Sequence, residues 1–224
     1  AKNPYHGHAV NGDKTLDSYN GLYYADKNEF FIYDDVMLTD STTVLTSDTM
    51  TYNTNTKLAV FHGPTHIFTN DSTIIYSENG TYNTDDGHAT SVKKSTIYNG
   101  NQRLTCDTLD HYRNTKFGIA KHNVNIWDSA NNIFCTGHYG ETDGKKHYNY
   151  LTDSATAHFV NDKYDTLFMH SDTVYSTIND DNEIQTVSAY HKVRLFRSDV
   201  QGQCDSAFYN VPDSLLTLYY SPMA

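Results

Sequence analysis

The sequence predicts an all-β protein of stacked antiparallel two-stranded repeats, folded as an elongated, twisted β-jellyroll. Three observations carry that expectation. A short motif recurs about every 30 residues, apolar and polar side chains alternate with period two between its copies, and turn residues bracket each alternating run.

The recurring motif is a small residue, an acid and then a tyrosine. It reads Ser47-Asp48-Thr49-Met50-Thr51-Tyr52 and again Ser77-Glu78-Asn79-Gly80-Thr81-Tyr82. Cys106-Asp107-Thr108-Leu109 follows, with Tyr112 one place late, which predicts a bulge. Cys135 continues the column with Thr136 in place of the acid. Ser171-Asp172-Thr173-Val174-Tyr175 and Cys204-Asp205-Ser206-Ala207-Phe208-Tyr209 complete it. A weaker first copy is Tyr19-Asn20-Gly21-Leu22-Tyr23-Tyr24. These make about seven repeats. Residues 1–224 are read as one domain and as a fragment of a longer protein.

About ten residues before each motif lies a second column. Its copies are Val36-Met37-Leu38, Thr65-His66-Ile67, Ser95-Thr96-Ile97, Val124-Asn125-Ile126, Ala157-His158-Phe159 and Val193-Arg194-Leu195. Outer positions are apolar or small and the middle one varies, the mark of a strand with one buried face. Four places upstream stand Ile32, Phe61, Ser91, Ala120 and Ala189. Two places before the Ser/Cys column stand Leu45, Ile75, Leu104 and Ile133.

Turns fall between the strands in two sets. One is Asp40-Ser41, Asn70-Asp71, Asn99-Gly100-Asn101, Asn131-Asn132 and Asn161-Asp162. The other is Asn53-Thr54-Asn55, Asp85-Asp86-Gly87, Arg113-Asn114, Asp143-Gly144, Asn179-Asp180-Asp181 and Pro212-Asp213. A lone hairpin leaves its apolar face wet, so the repeats must stack to bury it. Spacing alone does not separate this architecture from a parallel β-helix or solenoid.

Composition agrees with a narrow interior. Hydrophobic residues make up 38% on a count that includes 19 tyrosines. Exchanging the tyrosines for the glycines lowers that to roughly 35%, against about 45–50% for ordinary domains. The net charge of −11 argues against nucleic acid or an anionic membrane surface as partner. No apolar run reaches the roughly 20 residues of a membrane-spanning helix.

Catalytic chemistry finds little support. The acids Asp48, Glu78, Asp107, Asp172 and Asp205 recur once per repeat, whereas catalysis needs one convergent cluster. They are expected to form an outward, solvated row. The cysteines exchange with serine along their column and are expected to pack inside. A Cys106–Cys135 bridge between neighbouring repeats is conceivable in an oxidising compartment, but the favoured expectation is unbridged packing, and the odd count leaves at least one thiol unpaired within the chain. His6-Gly7-His8 puts two imidazoles on one face, too few for a metal site. No catalytic residue, metal or cofactor is predicted.

The run Asn28-Glu29-Phe30-Phe31-Ile32-Tyr33-Asp34-Asp35-Val36-Met37-Leu38, followed by Thr46-Ser47-Asp48-Thr49-Met50-Thr51-Tyr52-Asn53, resembles the OstA/LptA-like lipopolysaccharide transport family. That family is related to the periplasmic domain of LptD. The likeness extends from about Leu16 to Tyr220 and is to the multi-repeat OstA-like proteins of the Bacteroides type. Asp35-Val36, Asn123-Val124 and Lys192-Val193 stand where the family has a glycine-containing turn, so that glycine is mostly missing here.

The resemblance implies a β-jellyroll trough in the periplasm or at the outer membrane, with no enzymatic activity. It implies lipopolysaccharide as the cargo, its lipid A acyl chains sheltered inside. It also implies edge-strand stacking with other transport-bridge proteins or with further copies. The residues expected to line the trough are Ile32, Val36, Leu38, Leu45, Phe61, Ile67, Ile75, Ile97, Leu104, Val124, Ile126, Ile133, Phe159, Val193 and Leu195. The competing expectation is a structural or adhesive β-repeat protein whose interior is filled by its own side chains. A more distant one is a carbohydrate-cleaving β-helix.

Overall fold

The computed structural model describes residues 7–161 and 165–220, so His6 and Asp162 of the sequence expectations lie outside the described residues. The chain is all-β, with 18 strands and no helix among the described residues. Every pairing is antiparallel, which sets aside the parallel β-helix.

The strands fall into two compact units. The first runs to Ile97 and includes Asp107–Asn114. It contains β1 (Gly7–Asn11), β2 (Lys14–Ser18), β3 (Asn20–Tyr24), β4 (Glu29–Thr39), β5 (Thr43–Asn53), β6 (Leu58–Thr69), β7 (Ile74–Asn83) and β8 (His88–Lys93). Strand β9 (Ser95–Asn99) carries the chain out of this unit. The second unit holds β10 (Gln102–Cys106), and β11 (Thr108–Tyr112) belongs again to the first. The rest of the second unit is β12 (Phe117–Asp128), β13 (Ile133–Asp143), β14 (Tyr148–Val160), β15 (Thr166–Ile178), β16 (Ile184–Arg197), β17 (Val200–Asn210) and β18 (Leu215–Tyr219).

Each long strand bends at its middle. In β4 the register breaks between Tyr33 and Val36, in β12 between Lys121 and Val124, and in β16 between Tyr190 and Val193. The residues in each gap take left-handed backbone: Asp34 and Asp35, His122 and Asn123, His191 and Lys192. Asp and Asn tolerate that region better than most residues, which lets the corner form without glycine. In β6, Gly63 at φ 94° and Pro64 make the same bend. On the returning strands the corner is lined by serine. The hydroxyls of Ser47, Ser77 and Ser171 donate to the carbonyls of Thr49, Asn79 and Thr173, at 3.2, 2.9 and 2.8 Å.

The bend brings the two halves of each strand face to face, and the turn ends of the halves meet. In the first unit Arg113 Nη1 donates to Tyr82 Oη at 2.9 Å and to Thr43 Oγ1 at 2.7 Å. Lys14 Nζ reaches Asp85 at 2.6 Å. In the second unit Asn131 Nδ2 donates to the Ile184 carbonyl at 3.2 Å and Asn101 Nδ2 to Glu183 at 2.8 Å. Each unit thereby closes on itself around an apolar interior.

Candidate functional site

All fifteen residues expected to line the interior are inward and at most 8% exposed. In the first unit Ile32 and Phe61 come from one half of the folded sheet; Val36, Leu38, Leu45, Ile67 and Ile75 come from the other, with Ile97 on β9. In the second unit Leu104, Val124, Ile126, Ile133, Phe159, Val193 and Leu195 share one half. The middle positions Met37, His66, Asn125, His158 and Arg194 point outward, as alternation requires.

Three alignments need correction. Ser47 pairs with Val36 and Cys204 with Val193, but the residue opposite Val124 is Gly137 rather than Cys135. Cys135 pairs with Ile126, the position that Leu45 holds against Leu38. Likewise Ala155, not Ala157, stands opposite Ser171, so Phe159 and its partner Ile133 sit one rung nearer the turn. These slips are of two residues, and a two-residue slip keeps a side chain on the same face. In β11 no bulge precedes Tyr112. His111 occupies the buried tyrosine position, opposite Ala89 as Tyr82 is, and Tyr112 points out.

The interior also includes residues outside the expected set. Met50, Tyr52, Ala59 and Tyr82 are buried in the first unit, and Met169, Val174, Ile184 and Val187 in the second. Alternation alone hides the half strands beyond the corner. Ser47 and Met50 both face inward although they are an odd three positions apart, because Asp48 and Thr49 both turn outward. Counting by twos from Leu45 therefore assigns Met50 and Tyr52 to the wrong face.

The acidic column is outward or half-buried, and three of its members meet basic side chains at the corners. Lys93 and Lys94 reach Glu78 at 3.0 and 3.5 Å, Lys192 reaches Asp172 at 3.5 Å, and His191 reaches Asp205 at 3.6 Å. The Lys93 ammonium holds the Glu78 carboxyl below its ordinary pKa. These three acids thus sit in exposed charge or hydrogen-bond contacts at the corners and not in a convergent cluster. No cluster of three or more metal-binding side chains occurs among the described residues, and His8 hydrogen-bonds Asp17 at 2.6 Å.

The cysteines are buried thiols, as their exchange with serine led us to expect, and Cys106 and Cys135 are not bridged. Strand β12 lies between β10 and β13, and a two-residue offset along the strands adds to that gap, which separates their Cα atoms by more than about 10 Å. A disulfide needs about 4.4–6.8 Å. Burial pushes the Cys135 thiol up to about 12, so it is no nucleophile.

Among the described residues, each unit's interior is largely sealed by its own side chains, and openings border it in both units. Beside the first strands of the first unit, a cavity of ≈ 350 Å³ is lined by Leu16, Leu22, Phe30 and Ile32 among others. In the second unit a cavity of ≈ 630 Å³ is lined partly by Ile133, Phe159, Leu167, Tyr209 and Leu216. Four of the apolar residues bordering these openings, Ile32, Ile133, Phe159 and Leu16, are themselves core residues. A hydrocarbon entering there would meet the existing interior.

No protein-family model matches the chain, and no curated protein sequence does. Among solved structures it is similar to LptH of Pseudomonas aeruginosa, described as the LptA-homologous periplasmic component of the conserved lipopolysaccharide transport device. The alignment covers 54% of this chain and 82% of that one, at 9% identity and a TM-score of 0.47.

Proposed function

We propose that this chain is a non-enzymatic lipopolysaccharide-handling module of the periplasm, serving outer-membrane biogenesis. The observation that carries the reading is an apolar interior, in each unit, bordered by a solvent-open cavity whose wall mixes core apolar side chains with polar ones, Ser18 and Asn20 in the first unit and Asn131, Asp165 and Arg197 in the second. The motif resemblance drawn from residues 28–53 supports the same assignment.

The physical need is plain. Each CH₂ of an acyl chain kept from water is worth roughly 0.8 kcal/mol, so a lipid with several long chains cannot cross an aqueous compartment unaided. In the proposed action acyl chains enter at the openings and replace contacts among the lining side chains, while sugars stay outside. Leu16, Phe30, Ile133 and Phe159 meet the chains first. The sealed residues, such as Leu45 and Val124, are reached only as the two halves of the sheet part. Exposed end strands, with Leu22 and Tyr23 on β3 and Leu215 and Tyr219 on β18, would pair with transport-bridge proteins or with further copies.

Photo-crosslinkers placed at Leu16 and Phe159 in cells test this. Lipopolysaccharide adducts are expected there and not from Asp48 or Asp205, which face outward. Adducts no more frequent inside than outside would overturn the reading. A second reading draws on the burial itself: Leu45, Met50, Val124, Met169 and Ile184 leave no accessible surface, as expected of a purely structural or adhesive repeat protein. That reading predicts no lipid adduct at any inner position.

A further inference from the structure

The outer face of the second unit carries an unusual row of rings. Trp127, Phe134, His158, Phe168 and Phe196 are cross-strand partners on β12 to β16. Their rings touch in sequence, with centroids 5.9, 5.6, 4.8 and 6.4 Å apart. Arg103, the partner of Trp127 on β10, lies over the Tyr98 ring at 5.6 Å and extends the row. Trp127, Phe168 and Phe196 are 40%, 42% and 52% exposed, although each could have been a threonine as elsewhere on this protein's outer faces.

A second row runs alongside. Asn125, Thr136, Thr156, His170, Arg194 and Gln203 pair with one another across the same strands, two residues from the rings. They present amide, hydroxyl, imidazole and guanidinium groups. Among the described residues, neither row contains a carboxylate, in a chain of net charge −11. The nearest outward acids on these strands, Asp172 and Asp205, stand two residues past His170 and Gln203, at the corner.

We propose that this strip is a binding platform for an extended polysaccharide chain. A sugar ring has a face of C–H groups and a rim of hydroxyls, so it asks for an aromatic surface with hydrogen-bonding groups beside it. The two rows supply both. From β10 to β17 the strip spans seven strands, about 29 Å, and its ring centroids follow one another at 4.8 to 6.4 Å. That interval is close to the length of one sugar residue in an extended chain, so successive sugars meet successive strands. The shape also separates a glycan from a protein partner. Two rows cover only about 400 Å², half of the roughly 800 Å² that each side of a stable protein interface buries. Burial lowers the His158 pKa, disfavouring the charged form of a ring that stands in an aromatic row. The platform is independent of the interior and of the lipid reading.

Native electrophoresis of the full chain through gels containing, in turn, dextran, xylan, a β-glucan and delipidated lipopolysaccharide glycan is the test. At least one gel is expected to retard the protein, and Trp127→Ala/Phe168→Ala/Phe196→Ala to weaken that binding tenfold or more. Tyr190→Ala, on another outer face, should migrate like the wild type. Phe196→Ala alone, at the most exposed ring, serves should the triple variant lose its circular dichroism spectrum, and a several-fold loss is expected from it. Retardation by none of the four glycans overturns the proposal, as does equal retardation of wild type and variants. A wild-type dimer in sedimentation that the triple variant abolishes would assign the strip to a second copy and overturn it too.

Discussion

Asp128 Oδ2 accepts a hydrogen bond from the backbone N–H of Ile184, 2.5 Å away and 56 residues further along the chain. Asp128 ends the inner rung of β12, and Ile184 begins β16 from the opposite turn end. The same carboxylate accepts from the backbone N–H groups of Ala130 and Asn131 and from Asn131 Nδ2. One fully buried acid therefore caps a turn and closes the interior of the second unit.

Asp128→Ala strands those donors in a dry site. A buried donor left unsatisfied costs about 1–3 kcal/mol, and more than one is lost here, so a destabilisation of about 3 kcal/mol or more is expected. Asp128→Asn keeps one acceptor oxygen and should cost less. Urea denaturation of the three proteins measures both. A loss under about 1 kcal/mol for the alanine variant would show that water replaces the carboxylate and that the closure is weak.

His111 gives the fold an acid sensitivity. Burial lowers its pKa from 6.5 to about 4, so the folded chain keeps the imidazole neutral where the unfolded chain would protonate it. The sign follows: the contribution to stability is complete above pH 6.5 and is lost as pH falls toward 4. Its size is on the order of 3 kcal/mol. His111→Tyr places at this rung the side chain that Tyr52 and Tyr82 supply at theirs. It is expected to reduce the stability difference between pH 7 and pH 4.5, read from urea midpoints at both. An unchanged difference would assign the acid sensitivity to other groups.

Both features lay at different depths in the sequence. The strands, their inward residues and both sets of turns were legible because alternation and Asn/Asp punctuation are local. Cys135 and Phe159 were placed two residues from their true partners yet on the correct face, since strand parity does not distinguish Gly137 from Cys135. The corner broke that parity and concealed Met50 and Tyr52. His111 was passed over because Tyr112 stood next to it and matched the motif. The closures by Asp128 and Arg113 had no local signal at all, because each depends on a turn from the other end of the folded sheet.

The corner makes its own prediction. Asn123 sits at φ 50° beside His122 at φ 60°, where the chain bends within β12. Asn123→Val forces a β-branched residue into left-handed backbone and should cost about 1–2 kcal/mol. Asn123→Gly should be nearly neutral, because relief at the corner is offset by greater freedom in the unfolded chain. Thermal melts that rank glycine and asparagine together, well above valine, are the expected result. Equal melting of all three would mean that the bend is set elsewhere.

Thiol labelling checks the topology of the second unit directly. Cys106, Cys135 and Cys204 are all buried, and burial raises the pKa of both Cys135 and Cys204. A thiol without access or thiolate character does not alkylate. Native protein at pH 8 should therefore leave Cys135 unmodified by iodoacetamide over hours, with Cys204, at the outermost of these strands, reacting before it. In urea without reductant all three should label, because β12 holds Cys106 and Cys135 too far apart to join. A peptide containing both cysteines in a disulfide would place β10 beside β13, contradicting the strand order on which the closed interior depends.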